Sequence, residues 1–310
     1  MRRADLFQLT RISLAPTAIA DPIAGILLAT HGDLAGPELL ILIPMSLCLF
    51  HGGMVLNDWS DRDADQLTRP ERPIPSGRVP ARSALFLALV LLLGAVLLGF
   101  TLDPRTALAA GVLACLIAFY DIWGRGAWLG PLSMGSCRAG NIALAYAGTL
   151  WSMGAPTNLL GEETLPMRLC VPLAYGLYVF LLSRFARAED GEAELDSHTL
   201  RALLLLAMTL LPLPALVTGL SMHTPVGGIL GAMLALSGAP GLWRAAMDAA
   251  PWTRSRVTKT VGLLLRRMLL ITGSIALATA PLGSVGLLGA LVILAGYPLA
   301  HGLRKIAPPS

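Results

Sequence analysis

The sequence has little charge for its length. Only 14% of its 310 residues are charged and 6% are aromatic, whereas charged residues make up about 25% of an average soluble domain. A chain of this composition cannot cover a water-facing surface. We therefore exclude disordered, coiled-coil, collagen-like and nucleic-acid-binding proteins.

Cysteine is also scarce. The four cysteines lie in apolar stretches, and none of them shows a CxxC or Cys/His spacing typical of a metal site. We expect reduced packing residues and no disulfide framework. These cysteines are Cys48, Cys115, Cys137 and Cys170.

Long apolar runs dominate the chain. Apolar residues make up 55% of it, and the mean hydropathy is +0.68. Because a membrane-spanning helix needs about 20 apolar residues, we predict an all-α polytopic membrane protein. The candidate spans are approximately 12–30, 38–56, 82–101, 105–121, 132–152, 168–186, 199–220, 224–243, 258–280 and 283–302.

Two topologies stay open. Ten spans place the arginine-rich loops and both termini in the cytoplasm, in agreement with the positive-inside rule, and we prefer this topology. Arg266 and Arg267 fall inside the ninth run, where charges are costly, so a nine-span alternative lays 244–267 along the membrane surface. In both cases we expect one domain over 1–310 in the inner (cytoplasmic) membrane, with the acidic loops facing the cytoplasm.

The acidic residues are concentrated in two loops. Of 19 acids, five lie in 58–71 and five in 189–196. Each loop lies between an even-numbered span and the odd-numbered span that follows it. This pairing suggests two related halves, roughly 12–121 and 132–243, followed by C-terminal spans at 258–302.

The first acidic loop carries oxygen ligands at helical spacing. At about 100° per residue, Asn57, Asp61, Asp65 and Asp58 fall within one stripe, and Asp63 lies on the far side. Mg²⁺ prefers oxygen ligands from one or two carboxylates, water and phosphate. The stripe Asn57, Asp58, Asp61 and Asp65 is therefore predicted to bind Mg²⁺. The alternative is a solvated acidic loop paired with nearby arginines.

A basic segment with three prolines follows this loop. It reads RPERPIPSGR from Arg69 to Arg78, and each proline fixes its own backbone φ angle. The arginines are thus held near the carboxylates with little flexibility. Preorganised arginines beside Mg²⁺ suit a diphosphate or polyphosphate ligand.

At these residues the sequence resembles the UbiA superfamily of intramembrane prenyltransferases. The family motif NxxxDxxxD stands as Asn57, Asp61 and Asp65, and the signature RPIPSG spans 72–77. The pattern GP…MG…CR…N at 130–141 is similar to the EboC-like branch of the superfamily.

The resemblance implies a bundle of nine or ten transmembrane helices around a central cavity. An isoprenyl diphosphate would enter from the lipid bilayer, be held by Mg²⁺, and pass its prenyl group to a small-molecule acceptor. Asn57, Asp61 and Asp65 would be the catalytic residues. The residues implied to bind diphosphate are Arg72, Arg78, Tyr120 and Arg125.

Three polar residues inside the apolar runs are candidates for lining the cavity or binding the acceptor. Asp21 lies in the first run, and Arg138 and Asn141 lie one helical face apart in the fifth. Charges within membrane spans usually face a polar cavity. The alternative for Asp21 and Arg138 is a purely structural ion pair.

The second acidic loop departs from the family pattern, which is usually DxxxD. Glu189, Asp190 and Glu194 are the best matches, and a merely solvated loop is the alternative. This departure keeps open a second function, a noncatalytic carrier or scaffold for a prenyl lipid or metabolite. A packing-only membrane subunit would leave the oxygen ligands of the first loop unexplained.

Overall fold

The computed structural model describes residues 2–34, 36–124, 126–154, 169–189, 196–279 and 286–306. Within these ranges the chain forms α-helices joined by short turns, and no β-strand. The helices are α1 (Arg3–Leu9), α2 (Ala15–Ala29), α3 (Glu38–Ser60), α4 (Arg62–Thr68), α5 (Ala81–Phe100), α6 (Pro104–Ile122), α7 (Leu129–Ser152), α8 (Val171–Ala186), α9 (Ser197–Leu210), α10 (Leu213–Ser221), α11 (Pro225–Leu236), α12 (Ala239–Met247), α13 (Arg254–Thr279) and α14 (Gly286–Ile306).

The helices confirm the all-α membrane fold predicted from the apolar runs. Every predicted run coincides with one helix or with two consecutive helices. In the described part of the chain, seven helices or consecutive helix pairs are long and apolar enough to cross a membrane. The count of nine or ten spans stays a prediction.

Two of the predicted runs are each divided into two helices. The run 199–220 becomes α9 and α10, with Pro212 between them, and the run 224–243 becomes α11 and α12, with Pro240 in the first turn of α12. Proline has no N–H to donate and its ring clashes with the preceding turn, so it favours the start of a helix over its interior.

Arg267 is buried at the second of these breaks. It belongs to α13, which is continuous from Arg254 to Thr279, and only 8% of it is exposed. Its Nε donates a hydrogen bond to the carbonyl oxygen of Gly238 at 3.0 Å. The arginine therefore satisfies a backbone carbonyl at the point where α11 has ended, which explains how the bundle accommodates this charge inside an apolar run.

Helices α2 and α13 lie at the centre of the bundle. α2 packs against α3, α7, α13 and α14, and α13 also packs against α8, α10 and α11. The two predicted halves meet where α2 packs on α7. The structural relation between these halves stays a prediction.

The outward faces of the helices are apolar. On α5, Phe86, Leu89, Leu93 and Leu97 are each more than half exposed. Lipid is a favourable environment for such a face, and the helical backbone leaves no hydrogen-bonding group exposed to it. The four cysteines are free thiols. Cys48 and Cys137 are half-buried, whereas Cys115 and Cys170 are exposed, so the prediction that all four are packing residues is wrong for these two.

Glycines allow close helix contacts at two interfaces of α7. A Cβ on Gly135 would lie 2.5 Å from the carbonyl oxygen of Gly176 on α8. A Cβ on Gly25 of α2 would lie 2.6 Å from the carbonyl oxygen of Ile142 on α7. Since backbone atoms cannot move aside as flexible side chains do, only glycine fits, and α7 is held close to both neighbours.

Gly135→Ala is expected to destabilise the protein by about 1–3 kcal/mol, because the added methyl group overpacks the α7–α8 interface. Gly94→Ala is the matched control, since a Cβ there meets no atom within 4 Å. The control should be neutral or stabilising by up to about 1 kcal/mol. Thermal unfolding in detergent measures both, and a Gly135→Ala variant as stable as the control would contradict this packing.

Candidate active site

A cavity of about 380 Å³ lies between α3, α6, α7, α8 and α13. Its walls are mostly apolar, as an isoprenyl chain would require. The apolar wall residues include Leu49, Phe50, Met54, Leu113, Ile117, Met134, Val179, Leu182, Leu265 and Met268.

Polar side chains line the cavity at two levels. The first level, which we name the motif end, consists of Arg11, Arg69, Tyr120, Asp121 and Arg187, near the last turns of α3, α6 and α8. The second level, which we name the inner end, consists of Ser46, Arg138 and Asn141. Ser46 precedes Asn57 on α3 by eleven residues, or about 16 Å of helix.

The first acidic motif keeps helical geometry from α3 into α4. The amide of Asp61 donates to the carbonyl of Asn57 at 2.9 Å, and the amide of Asp65 donates to the carbonyl of Asp61 at 2.8 Å. The side chains therefore lie on one stripe, as the spacing predicted. Asp58 and Asp65 are buried, whereas Asn57 and Asp61 are partly exposed.

Arg72 joins two of these carboxylates. Its Nη1 lies 2.7 Å from Oδ2 of Asp65 and 3.6 Å from Oδ1 of Asp58. All three side chains are at most 5% exposed. The stripe is thus paired with an arginine, which the sequence allowed as the alternative to metal binding.

The structure does not bring Arg78 to the cavity, although the resemblance implied that it binds diphosphate. Its Nη1 lies 2.6 Å from Oδ1 of Asp5, and its Nη2 donates to Gln8 of α1. Arg78 is turned toward α1 by these contacts. It therefore fastens the N-terminal helix to the segment after α4, a role that depends on a contact too distant in sequence to predict.

Arg11 is a site residue that the sequence reasoning missed. It lines the motif end of the cavity, and its Nη2 donates to Oδ1 of Asp58 at 2.9 Å. Its backbone is left-handed, with φ 49° and ψ 49°, a conformation that costs energy for any residue except glycine. The available signal was a lone arginine directly before the first apolar run.

Asp121 is a second residue that the sequence reasoning missed. It lies on the cavity wall beside Tyr120 and is 1% exposed. Its side chain faces α3, where it forms a hydrogen bond with Asn57, and its Oδ2 lies 3.9 Å from the place of a Cβ on Gly53. The available signal was an acid at the end of an apolar run.

The second acidic loop reaches the cavity through Glu189. Glu189 lines it, and its Oε1 accepts a hydrogen bond from the hydroxyl of Thr258 on α13 at 2.7 Å. Asp190 and Glu194, and also Arg125, lie outside the described residues. Tyr120, the other residue predicted to contact diphosphate, lies at the motif end.

At the inner end, the structure shows the ion pair of Asp21 with Arg138 and cavity lining by Arg138, whereas the prediction that Asp21 lines the cavity is wrong. Nη1 of Arg138 donates to Oδ2 of Asp21 at 2.9 Å, so the structural ion pair exists. Arg138 and Asn141 also line the cavity, whereas Asp21 is fully buried behind them. Asp21 therefore holds the lining residues in place instead of facing the cavity.

The oxygen ligands of the motif are compatible with Mg²⁺ but do not form a complete coordination shell. Within the described ranges, no group of three or more His, Cys, Asp or Glu residues is arranged to hold a metal ion. Mg²⁺ usually takes only one or two carboxylates and completes its shell with water and phosphate. The buried Oδ2 of Asp58, to which no described group donates a hydrogen bond, is one oxygen atom suited to this role.

A sequence profile of the UbiA prenyltransferase family matches residues 14–266, which include the first acidic motif, the arginine segment and the cavity helices α3, α6, α7 and α8. The chain belongs to the UbiA prenyltransferase family. Membership confirms the resemblance drawn from the motif residues, while the EboC-like branch stays a prediction.

The similar proteins include two kinds of UbiA-family enzyme. The chain is 29% identical over 159 residues to the bacteriochlorophyll synthase 33 kDa chain of Rhodobacter capsulatus, covering 47% of this chain and 48% of that protein. It is 30% identical over 200 residues to digeranylgeranylglyceryl phosphate synthase of Methanosphaera stadtmanae, covering 60% and 65%. The chain thus spans about half to two thirds of the length of these relatives.

Solved UbiA structures share this fold. The apo UbiA homologue of Aeropyrum pernix K1 superposes with a TM-score of 0.67 at 15% identity, covering 84% of this chain and 96% of that one. The Archaeoglobus fulgidus homologue bound to DMAPP and Mg²⁺ superposes with a TM-score of 0.50 at 15% identity, covering 96% and 99%. At this identity the likeness is one of fold.

Proposed function

We propose that the chain is a membrane prenyltransferase that moves an isoprenyl group from an isoprenyl diphosphate to a small-molecule acceptor. The observation that carries this proposal is the contact between the family's acidic motif and an apolar cavity. None of the four motif residues lines the cavity, but Asp58 binds Arg11, one of three arginines at the motif end. The Archaeoglobus fulgidus homologue, which binds DMAPP and Mg²⁺, supports the choice of donor.

The cavity residues have separate roles in the proposed reaction. The apolar wall receives the isoprenyl chain and excludes water, and Arg11, Arg69 and Arg187 offset the charge of the diphosphate. The C–O bond to the diphosphate breaks, and the diphosphate leaves with the electron pair. The acceptor nucleophile then forms a bond to the allylic carbon and loses its proton.

The motif residues that would hold Mg²⁺ are Asn57 and Asp61, with Asp58 as a further ligand. When bound, Mg²⁺ would offset negative charge on the departing diphosphate. A hydrogen bond with Asp121 of α6 orients the Asn57 side chain. The atom of Asn57 that Mg²⁺ would take is the amide carbonyl oxygen. Asp65 is paired with Arg72, so its role as a ligand stays a prediction.

The test uses inverted inner-membrane vesicles, which contain the cell's own acceptors, with radiolabelled geranylgeranyl diphosphate added outside. We expect inorganic diphosphate release and label in a new lipid-soluble product, whose mass identifies the acceptor. Because we propose that the motif end faces the cytoplasm, right-side-out vesicles should not react. EDTA should abolish the reaction, and vesicles without the chain are the control.

A noncatalytic carrier or scaffold would give a different result in the same experiment. It would bind the labelled diphosphate without releasing inorganic diphosphate. Binding without release, with Mg²⁺ and the vesicle acceptors both present, would therefore reject the transferase proposal in favour of the carrier.

A further inference from the structure

The inner end of the cavity presents a polar surface in an otherwise apolar part of the bundle. Arg138 and Asn141 are spaced by three residues on α7, so both reach the cavity from one helix face. Ser46 of α3 stands opposite and joins them through a hydrogen bond, in which Nδ2 of Asn141 donates to the Ser46 hydroxyl at 2.8 Å.

Asp21 offsets the charge of this surface. It is 0% exposed and accepts hydrogen bonds from Arg138 at 2.9 Å, from Asn141 at 3.1 Å and from the Tyr175 hydroxyl at 2.8 Å. At 2.9 Å the Asp21 carboxylate is the counter-ion of the Arg138 guanidinium. The pair of Asp21 and Arg138 therefore has no net charge, and a bound anion would find no excess positive charge at this level.

The hydrogen-bonding capacity left at the surface includes donors and an acceptor. A guanidinium group has five N–H donors. The hydrogen bonds of Arg138 in the described part of the chain go to Asp21 and Thr17, so further N–H groups remain. Both contacts of Asn141 use Nδ2, because a carboxylate can only accept. Its carbonyl oxygen is left as an acceptor.

We propose that the inner end binds an uncharged, hydroxyl-bearing end of the acceptor and discriminates against an acceptor that would place a carboxylate or phosphate there. A hydroxyl group can donate to the Asn141 carbonyl and accept from Arg138, which satisfies both groups. An anion would lose its hydration without gaining a counter-charge. This assignment of the ligand as the acceptor rests on the proposed transferase function.

The test compares two probes that share a ring system and differ in charge, 2-naphthalenemethanol and 2-naphthoate. Each is dialysed against the protein in lipid nanodiscs, with empty nanodiscs subtracted and inorganic diphosphate present to occupy the arginines of the motif end. Because the carboxylate cannot donate to the Asn141 carbonyl and loses more hydration, the alcohol should bind the wild type at least about tenfold more tightly. Equal or tighter binding of naphthoate would overturn the proposal.

Asp21→Asn tests the origin of this preference. It leaves the charge of Arg138 uncompensated, so naphthoate should gain at least about tenfold in affinity relative to the alcohol. Tyr175→Phe is the matched control, because it also removes a hydrogen bond of Asp21 but changes neither the charge nor the cavity lining. The control should keep the wild-type preference, and an unchanged preference in Asp21→Asn would overturn the proposal.

Asn141→Leu covers the case in which Asp21→Asn does not fold. It keeps the ion pair and removes the carbonyl acceptor, so the affinity for the alcohol should fall about tenfold while that for naphthoate changes little. Unchanged alcohol affinity would contradict the proposal. Because no prenyl transfer is measured, a failure of the transferase proposal would appear only in the vesicle assay, and a failure of this inference only in probe binding.

Discussion

Asp61→Asn is expected to slow diphosphate release by at least about 100-fold, since it weakens the binding of Mg²⁺, whose positive charge would stabilise the departing diphosphate. Asp61 lies between α3 and α4, one helical turn from Asn57, and is partly exposed. Diphosphate release in inverted vesicles measures the effect, with the variant and the wild type matched for the amount of protein in the membrane.

Asp63→Asn is the control for this prediction. Asp63 lies two residues away on α4, but its side chain is 77% exposed and contacts Arg62 at 3.3 Å. The same change of charge and size there should leave the rate within about twofold, because an exposed charge is screened by water. Equal loss in both variants would show that the loop acts through its total charge, and full activity in Asp61→Asn would reject the assigned site.

Arg72→Met is expected to lower the free energy of unfolding by about 3–5 kcal/mol, because removing one partner of a buried ion pair leaves uncompensated charge. Arg72 is 4% exposed and its carboxylate partners are 3% and 5% exposed. Thermal unfolding in detergent, followed by tryptophan fluorescence, measures the loss. Asp58, which also binds Arg11 of the motif end, then loses part of its counter-charge, so the affinity for the anionic donor should fall.

Variants at two other arginines distinguish the effect of Arg72→Met on stability from its effect on donor binding. Arg62→Met removes an exposed pair with side chains 34% and 77% exposed, which should cost less than about 1 kcal/mol. Arg78→Met should loosen α1 but leave the affinity for the labelled donor unchanged, since Arg78 contacts Asp5 instead of the cavity. The structure places Arg72 on the carboxylates of the motif and Arg78 on α1. An equal loss of donor affinity in Arg72→Met and Arg78→Met would contradict these separate roles.

The sequence predicted the fold class, the approximate ends of the helices and the acidic motif. Apolar runs of this length can only be helices in a bilayer, because no other open structure pairs all its backbone groups there. The motif could be predicted as well, because Asn57, Asp61 and Asp65 follow one another at intervals of one helical turn and their geometry depends only on local spacing. Proline alone did not locate the helix breaks, because Pro212 and Pro240 coincide with them whereas Pro22 and Pro44 lie inside α2 and α3.

The sequence did not predict which residues the charged side chains would contact. Arg72 and Arg78 stand in the same rigid segment, yet one binds buried carboxylates and the other binds Asp5 of α1. Arg11 and Asp121 join the site from the N-terminal segment and from α6. Each of these contacts depends on which helices meet, and spacing along one helix carries no such information.

The sequence by itself therefore determined that this is a helical membrane protein with an acidic motif at the end of its second apolar run. Only the tertiary structure decided which charges compensate each other. The Coulomb energy depends on distance and on burial, and both are set by packing between helices far apart in the sequence. Asp21 and Arg138 are separated by 117 residues, and their contact at 2.9 Å makes the inner end of the cavity neutral.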